Sequence, residues 1–133
     1  MNRRTYRWVG VLLGVAVALG LQAQTIWDGA VYSELAKAPT KYQQMQNPLA
    51  NDAEAPMAGA VLCEEHCEEC HGKAAVGGRK APTLRAAEVR EARPGAIFWI
   101  LSNGVVRKKM PVWSKLPEPE RWQLVSYIQS LNR

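Results

Sequence analysis

Several things are scarce in this sequence, and each scarcity removes a class of protein. No stretch alternates apolar and polar residues as a half-buried strand would, and no repeat or low-complexity tract recurs. Charged residues make up only 22% of the chain against 47% hydrophobic ones, which excludes wholesale disorder. A single Phe stands beside five Trp, and there are only two His and three Cys. At 133 residues the chain holds at most one modest domain, too little for most large enzyme folds. Net positive charge is scarce too once the N-terminal segment is set aside. The formal +5 includes Arg3, Arg4 and Arg7, and from Gln24 onward 14 basic residues face 12 acidic ones. A nucleic-acid role therefore lacks its main electrostatic support.

What is present begins with a targeting pattern. Residues 1–7 are basic, residues 8–21 form an apolar run of 14, and small residues follow near Ala23. This is the layout of an export signal cleaved after residue 23. The apolar run is short of the about 20 residues of a spanning helix, so an uncleaved membrane anchor is the alternative and the mature chain has no span. No lipid-attachment cysteine follows the run, because the first cysteine is Cys63. The expected location is periplasmic. There, neighbouring free thiols are oxidised or captured by a cofactor.

Residues 24–57 read as a linker. A short helix is expected over residues 26–37 and an extended connector over 38–55, broken by Pro39, Asn47-Pro48 and Pro56. Residues 58–133 form the domain, expected to be all-α. Three main helices are predicted: residues 56–67, residues 94–101 with a stop at Asn103-Gly104, and residues 119–131. The last carries an apolar stripe of Leu124, Ile128 and Leu131, flanked by Val125 and Tyr127. The stretches 72–82 and 105–117 are loops rich in Gly, Pro and basic residues. A domain this small needs a staple beyond its own core.

The motif Cys67-Glu68-Glu69-Cys70-His71 supplies one. C-x-x-C-H is the attachment signature of c-type haem. Two thiols within one turn can add to the two vinyl groups, and the adjacent His71 presents its ring to the iron. With Cys63 the run also reads C-x3-C-x2-C, which fits a redox disulfide, an iron–sulfur site or a Cys3His zinc site. The cluster enzymes need a large barrel and a reducing cytosol, and a zinc knot leaves the downstream features without a role. Those features begin with Met110-Pro111, 39 residues after His71 in a loop between helices. Met1, Met45 and Met57 fall in the signal, the linker and a helix start, so Met110 is the candidate sixth ligand. An iron with both axial positions filled has no open site for substrate and carries electrons.

With these residues in place the chain resembles the class I cytochromes c, over about residues 59–131. Gly59 matches the glycine at the crossing of the N- and C-terminal helices. Ala81-Pro82-Thr83-Leu84 looks like the family's Pro-x-Leu segment. The resemblance implies that the Pro82 carbonyl accepts the His71 ring N–H and that Leu84 covers the haem. It further places Trp99, Trp113, Leu124 and Tyr127 around the haem pocket, and implies one covalent haem c ligated by His71 and Met110. The family usually has Tyr or Phe where this chain has Cys63, read as a small buried thiol facing the interior. His66 is read as solvated.

Four acidic residues, Glu64, Glu65, Glu68 and Glu69, crowd the attachment helix, and Arg107, Lys108 and Lys109 crowd the Met110 loop. The basic row is expected to form a rim that steers an acidic redox partner to the haem edge. The expected function is a periplasmic monohaem electron carrier rather than an enzyme. Its partners would be redox proteins such as a dehydrogenase or an oxidase. The alternatives are a haem subunit dedicated to a quinoprotein dehydrogenase or terminal oxidase, and a gas sensor whose Met110 gives way.

Overall fold

The computed structural model describes residues 32–131, and the export-signal expectation for residues 1–23 lies outside them. Six α-helices follow in order: α1 (Thr40–Gln43), α2 (Ala55–His66), α3 (Glu68–His71), α4 (Ala87–Arg90), α5 (Pro94–Asn103) and α6 (Glu118–Ser130). Short 3-10 turns occupy Leu35–Lys37, Lys73–Ala75 and Val106–Lys108. The only strand-like pairing among the described residues is an isolated bridge between Val105 and Met110. The expected all-α fold is what forms. No described helix is long and apolar enough to cross a membrane.

Each main helix begins with a proline in its first turn, where the missing N–H costs nothing. Gly104 ends α5 with φ 65°, and its amide closes on the Ile100 carbonyl at 2.7 Å. The stop expected at Asn103-Gly104 is in place.

The core is the meeting of α2, α5 and α6. At the crossing of α2 and α6, Gly59 is buried with no room for a side chain, and a Cβ there would come within 2.8 Å of Tyr127 Cβ. On the other side of α6, Trp122 stacks on Phe98 of α5, with ring centroids 4.1 Å apart and planes 15° from parallel. The Arg121 guanidinium lies over the Phe98 ring at 4.6 Å. Because α6 is covered from two sides, its buried arc is wider than the stripe expected from spacing. Trp122, Leu124, Val125 and Ile128 are buried, whereas Leu131 is half-buried and caps the helix end.

Residues 38–55 are not an extended connector. Helix α1 packs on α5 so closely that a Cβ on Gly95 would overlap the Tyr42 carbonyl and reach Met45 Cβ at 2.7 Å. Asn47 is buried, donates from Nδ2 to Ser126 Oγ of α6 at 2.8 Å, and accepts from the Leu49 amide. These are backbone and amide contacts of an irregular segment, which hydrophobic periodicity cannot reveal. Of the short helix expected over residues 26–37, residues 26–31 lie outside the described residues, Tyr32 is helical, and Leu35–Lys37 form a 3-10 turn.

Candidate functional site

The site is built on the kink where α2 gives way to α3. Cys67 ends one helix and starts the other with φ −118° and ψ −27°, so the turn carrying Cys70 and His71 leaves the α2 axis. All three cysteines are free thiols: Cys63 buried, Cys67 half-buried and Cys70 exposed. The neighbouring Cys63 thiol, together with burial, pushes the Cys67 thiol up. Among the described residues no three His, Cys, Asp or Glu side chains converge as a metal-binding group.

His71 is fixed by a loop rather than by its own helix. Its Nδ1 lies 2.8 Å from the Pro82 carbonyl oxygen. A carbonyl can only accept, so Nδ1 carries the proton and the Nε2 lone pair is left for a ligand position. Burial lowers the His71 pKa against the opposing pull of that hydrogen bond, which favours the neutral ring.

The loop earns its shape through strain and close approach. Ala74 and Ala75 both take left-handed backbone, with φ 53° and 60°. Such a conformation costs a non-glycine residue roughly 1–2 kcal/mol. It is offset by the next segment: Leu84 N and Thr83 Oγ1 donate to the Ala75 carbonyl at 3.0 and 3.2 Å, and Arg85 Nε donates to the Ala74 carbonyl at 2.8 Å. These bonds hold Pro82 opposite His71.

Met110 sits at the end of a second closed loop. Val105 and Met110 exchange two backbone hydrogen bonds, of 3.1 and 3.2 Å, around the 3-10 turn Val106–Lys108. Lys109, with φ 65°, reverses the chain just before Met110. The Trp113 amide then returns to the Leu101 carbonyl of α5 at 2.9 Å.

Of the other expected pocket residues, Leu84, Trp99, Trp113 and Tyr127 are half-buried. Leu124 is buried in the core, with only 1% of it exposed. His66 is also not simply solvated, since its ring packs on Trp113 with centroids 5.1 Å apart. Arg107, Lys108 and Lys109, the expected basic rim, are all exposed; Arg107 and Lys108 also lie against the buried carboxylate of Glu34, Arg107 in direct contact and Lys108 at 3.8 Å. Glu34 also takes Lys37 at 2.8 Å. No sequence signal links Glu34 to Arg107, because the pair spans 73 positions.

The residues fit a c-type haem. Two thiols lie beside an oriented neutral imidazole, and a thioether is held by a separate loop. Three exposed aliphatic residues, Val76, Val106 and Val112, lie in the two loops flanking these groups, apolar surface of the kind a porphyrin would cover. Residues 54–128 match the family described as Cytochrome C oxidase, cbb3-type, subunit III. No curated relative and no solved structure matches the chain.

Proposed function

We propose that this chain, which belongs to the family of cytochrome c oxidase, cbb3-type, subunit III and so carries covalent haem c and transfers electrons, is an exported monohaem carrier whose iron is held by His71 and Met110. The observation that carries this reading is the 2.8 Å contact between His71 Nδ1 and the Pro82 carbonyl. When bound, the haem iron supplies the chemistry by gaining and losing a single electron.

The chain's own residues do the rest. Cys67 and Cys70 tether the group so that it is not lost by dissociation. Pro82 orients the His71 ring and raises its basicity. Met110 would supply a thioether to the iron, which would keep out external ligands and raise the potential relative to a second imidazole. The exposed row Arg107, Lys108 and Lys109 keeps a net positive charge that would steer a partner, since the single Glu34 carboxylate is shared among Arg107, Lys108 and Lys37. Residues 1–23 support export to the periplasm.

A second reading, a haem subunit committed to an oxidase complex, is favoured by the family's description. Purification separates the two, because a free carrier elutes alone and a subunit elutes with its complex. The site itself is tested on holoprotein made with haem-maturation machinery. Colour should stay with the protein through acid–acetone extraction, and the oxidised protein should show the weak near-infrared sulfur-to-iron band. Met110→Ala should remove that band with haem still attached. Colour in the organic phase would sink covalent attachment, and a band unaffected by Met110→Ala would sink the methionine ligand.

A further inference from the structure

Residues 32–34 lie across both loops that form the site. Tyr32 Oη donates to the Thr83 carbonyl at 2.8 Å, one residue past the Pro82 carbonyl that orients His71. Two positions on, the Glu34 carboxylate meets Arg107 and Lys108, in the turn that leads to Met110. Glu34 and Asn47 are the only buried polar or charged residues among those described. The far end of the segment is anchored in turn. Gln43 Nε2 donates to the Leu35 and Ala38 carbonyls at 3.0 and 3.3 Å, and Tyr42 abuts Gly95 of α5.

We infer that residues 32–34 are a clamp that couples the His71 loop to the Met110 loop, with Tyr32 and Glu34 as positioning residues that keep Met110 on the iron. The inference rests on the reading of Met110 as axial ligand. Met110 itself packs against the core, and the Trp113 amide fastens the chain after it to Leu101. The tip before it is less enclosed: the Val105–Met110 bridge is isolated, Lys109 is left-handed, and Val106, Arg107, Lys108 and Lys109 are all exposed. Glu34 ties this tip to a segment that is fixed at Thr83 and on α5, so a displacement of the tip that draws Met110 away must break charge-assisted hydrogen bonds. Lys37 shares the same carboxylate but lies on the clamp's own side, so its loss leaves the link between the loops intact.

The test uses oxidised full-length holoprotein and two readouts: the denaturant midpoint at which the near-infrared band is lost, and the affinity for added imidazole, which must displace Met110. Glu34→Gln and Tyr32→Phe should each lower the band midpoint more than they lower the midpoint of helix unfolding by far-ultraviolet circular dichroism. Imidazole should bind about tenfold tighter to Glu34→Gln, the scale of one lost charge-assisted hydrogen bond. Arg107→Gln, on the exposed side of the pair, should reproduce the effect, and combining it with Glu34→Gln should add little. Lys37→Gln should leave both readouts near wild type. Unchanged imidazole affinity in Glu34→Gln and Arg107→Gln overturns the clamp, as does an equal effect from Lys37→Gln. A wild type without the band overturns the methionine ligand and the clamp together, whereas a normal band indifferent to these variants removes the clamp alone.

Discussion

Gly59 lies against the backbone of Gln123 so closely that a Cβ on it would overlap the Gln123 carbonyl oxygen. The obstacle is backbone, which cannot rotate away, so the two helices would have to separate. Gly59→Ala should therefore cost about 3 kcal/mol or more, beyond ordinary overpacking. Gly78 is the control, since a Cβ there meets nothing within 4 Å. Gly78→Ala should be neutral or stabilising by up to about 1 kcal/mol. Denaturant melts of the two variants in holoprotein would check the contrast, and equal losses would contradict a tight crossing.

That crossing was legible in the sequence through the resemblance to class I cytochromes c, in which Gly59 matches the glycine where the first and last helices meet. So were the turn carrying Cys67, Cys70 and His71, the Gly104 stop, and the Pro82 carbonyl under His71. The illegible parts share a physical cause. Tyr42 meets Gly95 through a backbone carbonyl, Asn47 meets Ser126 through a side-chain amide, and Glu34 meets Arg107 across most of the domain. None of these follows from periodicity, and the breakers in 38–55 read equally well as a linker or as a strap. Trp122 was missed as core for a different reason, because α6 is buried from two sides and a single stripe describes only one of them.

The left-handed Ala74 is exposed and carries strain that a glycine would not. Ala74→Gly should relieve roughly 1–2 kcal/mol of it, less the extra freedom a glycine has in the unfolded chain. The net expectation is a gain of about 0.5–1 kcal/mol with the visible haem spectrum unchanged. A loss of stability would mean that the turn relaxes when the site is loaded.

Cys63 is 4% exposed, and haem attached at Cys67 and Cys70, as proposed, would leave it the remaining thiol. Native holoprotein should show no thiol reactive with an aromatic disulfide reagent, and denatured holoprotein should show one. Cys63→Ser should abolish that one. It should also destabilise the fold, because a hydroxyl placed there is desolvated more expensively than a thiol. Two reactive thiols in denatured holoprotein would mean that only one thioether bond forms.

The charge cluster at Glu34 gives stability a defined pH dependence. The Lys37 ammonium first, and then the Arg107 guanidinium, hold the Glu34 carboxyl below the ordinary carboxylate range, against the opposing effect of burial. A carboxyl with a depressed folded-state pKa binds fewer protons in the native than in the unfolded chain near that value. Its stabilising contribution is thus complete above the unfolded pKa, about 4.3 for Glu, and is lost as pH falls through the lower folded value. The charges facing it are Lys37 on its own segment and Arg107 and Lys108 across the gap. Wild type should accordingly exceed Glu34→Gln in stability by a constant margin from about pH 6 upward, and the margin should shrink steadily on acidification below about pH 5. Parallel denaturant melts across this range supply the measurement. A margin that instead widened toward acid would mean that burial outweighs the three cations and raises the Glu34 pKa, and the carboxyl would then be a liability that the cations only partly relieve.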